Sequence, residues 1–133
     1  MQTRKAIIAI LVTVFFSSLS LSSLANEVLP LMSKTLPENL RNQEAVMITV
    51  EMEPVESSLP HRHNAYVMVY MLSGKLEMQV KGGPLVQLEP GDTFFESPTD
   101  IHAVSRNLSD TMPAKFVVYL LKEAGAPATV AAD

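Results

Sequence analysis

The three histidines of this 133-residue chain fall in two short segments, Pro60-His61-Arg62-His63 and Asp100-Ile101-His102. Histidine is the side chain most often found on protein-bound metal. On a β-strand, residues two apart point to the same face, ~7 Å apart, so His61 and His63 can aim at one point. His102 follows 39 residues after His63 and reaches that point only if the strands between them fold back. A shared metal pocket therefore requires a β-structure that brings distant segments together.

The pattern of the chain supplies such strands. Across residues 45–53, Val46, Ile48, Val50 and Met52 alternate with other residues, as a half-buried strand requires. Residues 65–72 are almost wholly apolar, which predicts a strand covered on both faces. Further short strands are expected over residues 76–80, 85–88, 93–96, 101–106 and 114–122. The turn residues Ser73-Gly74-Lys75, Lys81-Gly82-Gly83-Pro84, Glu89-Pro90-Gly91-Asp92 and Ser97-Pro98-Thr99-Asp100 punctuate them. Short strands at near-regular intervals, with no convincing helix, predict an all-β barrel or sandwich.

The ends of the chain differ from this middle. Residues 1–25 open with Arg4-Lys5, continue with the apolar run of residues 6–16, and close on Ser23-Leu24-Ala25. A basic start, a short apolar core and small residues before a cut site predict a secretory signal peptide cleaved after Ala25. The apolar run is too short for a bilayer span of about 20 residues, so no membrane anchor is expected after cleavage. The expected location is periplasmic or secreted. Residues 26–43 read as a lead-in segment along the domain edge, residues 44–122 as the β-barrel domain, and residues 123–133, rich in Ala, as a flexible tail.

Loss of Arg4 and Lys5 would leave 8 basic against 14 acidic residues, taking the net charge from −4 to −6. An acidic surface without basic clusters argues against nucleic acid as a partner. The chain has no cysteine, hence no disulfide, thiolate ligand or cysteine nucleophile.

Two stretches resemble a known family. Pro60-His61-Arg62-His63, then Val67, then Tyr70-Met71-Leu72-Ser73-Gly74, is similar to the first motif of the cupins, an HxH pair followed by a glutamate and a glycine turn. Gly91-Asp92-Thr93-Phe94-Phe95-Glu96, then Pro98, His102 and Asn107, is similar to the second. The resemblance covers residues 60–107. It implies a cupin-like double-stranded β-helix, a jelly-roll barrel, with a metal held by His61, His63 and His102. Homodimers through a sheet face are common among relatives.

The chain departs from the family pattern at specific places. The usual glutamate ligand falls at Val67, and the usual proline and glycine positions hold Ser97 and Thr99, with the proline displaced to Pro98. Three neutral imidazoles leave the charge of a divalent ion uncompensated, so an open position should attract an anion or a chelating small molecule in the barrel. Nitrogen ligands suit a divalent transition metal, without distinguishing Fe, Zn, Cu, Ni, Co or Mn. Metal retention should be weaker than in four-ligand relatives.

Glu96 matches His102 in parity and is the candidate to replace the missing carboxylate, although a solvent-facing or turn-bonded Glu96 is the plainer reading. Tyr66 and Tyr70 should face away from the histidines. Phe94, Phe95, Phe116 and Tyr119 are expected in the core, with the methionines as core filler. Arg106 and Asn107 are expected to fix the loop after the third histidine.

Two functions are consistent with these features. One is a metal-dependent enzyme, dioxygenase-, isomerase- or hydrolase-like, acting on a small chelating molecule. The other is a non-catalytic metal- or small-anion-binding module.

Overall fold

The computed structural model describes residues 27–35 and 42–132. The expected signal peptide, residues 1–25, lies outside the described residues. Every regular element described is a strand: β1 (Glu27–Thr35), β2 (Gln43–Met52), β3 (His61–Arg62), β4 (Ala65–Ser73), β5 (Leu76–Val80), β6 (Val86–Leu88), β7 (Thr93–Glu96), β8 (His102–Asn107), β9 (Ala114–Glu123) and β10 (Val130–Ala131). No helix among them is long and apolar enough to cross a membrane.

The strands form two five-stranded sheets, ordered β1-β2-β9-β4-β7 and β10-β3-β8-β5-β6, with antiparallel pairing throughout. Consecutive elements repeatedly change sheet, which makes this a double-stranded β-helix. The inner faces enclose a core of Met52, Val67, Met71, Leu76, Met78, Ala114 and Leu120, each no more than 1% exposed. Burying such side chains drives the closure. Methionines at 52, 71 and 78 fill the irregular space between curved sheets, as expected.

Gly74 turns β4 into β5 with φ +79°, and a Cβ there would lie 2.6 Å from the Ala114 Cα. Only glycine meets both demands without backbone movement. Asn107, 3% exposed, fixes the loop after β8: its Nδ2 donates to the Met52, Glu53 and Met112 carbonyls at 3.2, 3.1 and 2.8 Å. Arg106 instead pairs with Glu77 on β5.

Several expectations are corrected. β4 is not covered on both faces: Ala65, Val67, Val69 and Met71 point inward, while Tyr66, Met68, Tyr70 and Leu72 are 44–51% exposed. An apolar run does not reveal which of its faces a second layer covers, and here only one is. Tyr66 and Tyr70 thus lie opposite the interior, as predicted. Phe95 is not core but 53% exposed, stacked beside Tyr66 on the outer face. The lead-in contributes a nine-residue edge strand, β1, paired with β2.

The C-terminal residues, expected to be loose, return to the barrel. Lys122, buried and paired with Glu44, donates to the Ala126 carbonyl at 2.7 Å. Beyond it, β10 pairs with β3. The Ala-rich composition hides this because the contacts are made by backbone groups.

Candidate metal centre

The register of the second sheet creates the site. His61 on β3 and His102 on β8 are direct cross-strand partners, so both side chains project on the same face. β3 ends after Arg62, and Asn64 takes φ +48°, so His63 does not continue a regular strand. The bend brings its ring edge-on to His61, with centroids 4.8 Å apart and planes at 88°. One ligand nitrogen from each of His61, His63 and His102 lies within 4.8 Å of the others. The three histidines singled out in the sequence are therefore brought to one place.

The outer nitrogens of two rings are fixed by backbone. His61 Nδ1 lies 2.7 Å from the Leu59 carbonyl, and His63 Nδ1 lies 2.6 Å from the Ala128 carbonyl. A carbonyl only accepts, so each Nδ1 must donate. In the neutral rings both Nε2 atoms then present lone pairs, and these face one another at 3.2 Å. Two lone pairs at that distance repel unless a proton or a cation lies between or beside them. Backbone carbonyls that set the tautomer of histidine in this way are a regular feature of metal sites.

Glu96 faces this cluster from the opposite sheet. It ends β7 and is the register partner of Val67 on β4. Cross-strand partners share a face with Cβ atoms about 5 Å apart, so a carboxylate stands one strand away from the position where the family carries its glutamate. The solvent-facing expectation for Glu96 is corrected: it is 2% exposed. The bend after it, in which Ser97 N donates to Asp100 Oδ2 at 2.7 Å, preserves the inward parity.

Glu96 Oε1 lies 3.2 Å from His102 Nδ1 and 3.9 Å from His63 Nε2. The approach to His102 is off the hydrogen-bonding axis, and Glu96 Oε1 and both His102 ring nitrogens lack hydrogen-bond partners. Buried polar atoms without partners cost ~1–3 kcal/mol each, so their clustering marks a place built around something else. Phe94 stacks on the His102 ring at 5.8 Å and holds its plane.

Electrostatics are consistent with a cation-ready cluster. Burial lowers the His61 pKa below 6.5, and the neighbouring His63 and His102 lower it further against the opposing pull of the Leu59 carbonyl and Glu96. The ring is thus kept neutral, the state a metal requires. Burial alone would raise the Glu96 pKa, but the adjacent His102 and the fields of His63 and His61 outweigh it and hold the carboxyl below 4.5. The donor set, three imidazoles beside one carboxylate with orphaned buried atoms, fits a divalent transition metal.

Above the histidines lies a cavity of about 320 Å³ that also reaches Val67, Val28 on β1, and Ala128 and Thr129 of the C-terminal segment. Ala128 and Thr129 gave no sequence signal, since one acts through its carbonyl and the other through its place in the wall. Glu96 gave only its parity.

A family model described as "Cupin domain" matches residues 48–120, more than half of the chain. The chain is a cupin. No curated protein is significantly similar to it. Among solved structures, the DMSP lyase DddQ from Ruegeria pomeroyi DSS-3 is 24% identical with a TM-score of 0.57, covering 65% of this cupin and 42% of the lyase. A protein with a double-stranded β-helix domain from Klebsiella pneumoniae subsp. pneumoniae MGH 78578 is 18% identical with a TM-score of 0.61, covering 81% and 84% of the two chains. Recombinant oxalate oxidase in complex with glycolate is 23% identical with a TM-score of 0.54, covering 65% and 45%. At these identities the likeness establishes the fold, and this cupin spans less than half the length of the lyase and the oxidase.

Proposed function

We propose that this cupin is an exported, metal-dependent enzyme acting on a small chelating molecule, with His61, His63 and His102 as the metal ligands. The observation that carries the reading is the pair of Nε2 lone pairs facing each other at 3.2 Å while both Nδ1 atoms donate to carbonyls. Such an arrangement is stable only with positive charge at the meeting point. Export rests on the basic, apolar and small-residue order of residues 1–25.

A divalent ion at this point supplies Lewis acidity toward an oxygen of the ligand. Glu96 takes the role of proton acceptor, because it is the carboxylate facing the cluster and is held ionised by its neighbours. His102 Nδ1 lies 3.2 Å from that carboxylate and favours its ionised form. Val67 and the apolar wall around it exclude water. Likeness in fold to an oxalate oxidase and a DMSP lyase supports small-molecule chemistry in such a barrel.

A second reading, a non-catalytic binding module, is favoured by one observation: among the described residues lining the cavity, Glu96 is the one acid or base besides the histidines. The test has two stages. Wild type and His63→Ala are purified without added metal and analysed for metal, with stoichiometric metal expected in wild type alone. Equal content in both overturns the site. Metal-loaded wild type is then incubated with small chelating acids: turnover that Glu96→Gln abolishes supports the enzyme, whereas binding without product supports the module.

A further inference from the structure

The floor and the walls of the cavity differ in chemistry. All its ionisable groups, His61, His63, His102 and Glu96, stand together at one end. Elsewhere the surface is formed by side chains such as Ile48, Val50, Val69, Met78, Val118 and Leu120. No lysine, arginine, asparagine or glutamine is among the described lining residues. Among the described residues three hydroxyls line the cavity: Ser58, Ser105, which is turned to the Met52 sulfur at 3.8 Å, and Thr129, which lies 3.5 Å from His63 Nδ1.

We infer that the ligand is a small molecule with a single oxygen-chelating head attached to one apolar body. This deepens the proposed function and rests on its metal site. The placement of the polar groups points to a single head: the three histidines and Glu96 cluster together, and the walls beyond them offer no second charged group among the described residues. A second carboxylate at the far end of the ligand would be buried against aliphatic walls with no cation or amide to receive it, which is strongly unfavourable. A sugar-like body carries more hydroxyls than Ser58, Ser105 and Thr129 could satisfy and would strand the rest. The space, on the order of ten waters in volume, suits a short chain or a single ring.

The test uses the Co²⁺-loaded protein and straight-chain alkyl hydroxamates, read by calorimetry and by the cobalt visible spectrum. Affinity should rise about fourfold per added CH₂ until the cavity is full. The same chains ending in a carboxylate should bind more than about tenfold more weakly. Val118→Thr, which keeps the shape but adds a hydroxyl, should flatten the rise, and Val69→Ala should move the optimum to a longer chain. Failure of wild type to load Co²⁺ would overturn the metal reading and this inference with it. Normal loading with a flat series, or with tighter binding of the carboxylate-ended chains, would overturn the ligand class alone. A profile unchanged in both variants would place the chains outside the cavity and overturn it equally.

Discussion

The two halves of the site are built on different terms. On the β3 side, His61 and His63 have their outer nitrogens tied to the Leu59 and Ala128 carbonyls, so ring orientation is fixed whether or not an ion is present. On the β7 and β8 side, Glu96 Oε1 and both His102 ring nitrogens are buried without hydrogen-bond partners. In the empty barrel the first half keeps those two hydrogen bonds against the repulsion between its facing Nε2 atoms. The second half costs stability until a ligand satisfies it. Buried polar atoms left without partners set this half apart from a polar network that serves packing.

The sharpest way to break this contrast is metal affinity. Removing a proposed ligand from either half, His61→Ala or His102→Ala, should weaken Co²⁺ or Zn²⁺ binding by more than about 100-fold, since even outer partners of ligands are worth about 10–100-fold. Competition against a chromophoric chelator measures it. A variant that retains wild-type affinity removes its side from the site.

Stability of the metal-free protein should separate the halves by sign. Glu96→Leu removes a buried carboxylate whose Oε1 has no hydrogen-bond partner, and below pH 4.5, where its attraction to the imidazoles is lost, it should raise the stability of chelator-treated protein by about 1–3 kcal/mol in urea denaturation. His63→Ala deletes the donor to the Ala128 carbonyl, a loss partly offset by removing one of the two facing Nε2 atoms, and should lower it by less than about 1 kcal/mol. Shifts of the same sign would end the comparison.

The role of the C-terminal segment can be sharpened by truncation after Pro127, which spares the Lys122 contact to Ala126. Circular dichroism should still report the barrel, while metal affinity falls by about tenfold because the His63 ring loses its carbonyl anchor. Unchanged affinity would show that the anchor is dispensable.

The smallest effect expected is on pH dependence. The folded-state pKa of His61 is lowered, so unfolding takes up a proton, and the metal-free protein should lose stability as pH falls below 6.5. Glu96, also lowered, adds a further loss once pH falls below 4.5. Thermal melts of chelator-treated protein across this range would show it. For His61→Asn the first loss should shrink and the second remain.

Much of the fold was legible because its cause is local. Alternation along residues 45–53 and the turn residues around Gly74 and Gly91 demand strands and reversals wherever they occur. The outer face of β4 was not, since Tyr66, Met68, Tyr70 and Leu72 are as apolar as buried residues and only the absence of a covering layer exposes them. The histidine trio was legible from spacing and motif. The place of Glu96 was not, because a carboxylate across from Val67 depends on which strand pairs with β4, and pairing partners are chosen by the whole core.

Periodicity and turn chemistry act over a few residues, so short antiparallel strands and a histidine pair with a third histidine within reach of it are written in the chain locally. The tertiary structure alone decided that a carboxylate from the opposite sheet and a carbonyl from the last residues join that trio. Both arrive through strand register and backbone hydrogen bonds, which link positions far apart in the chain and leave no mark on composition.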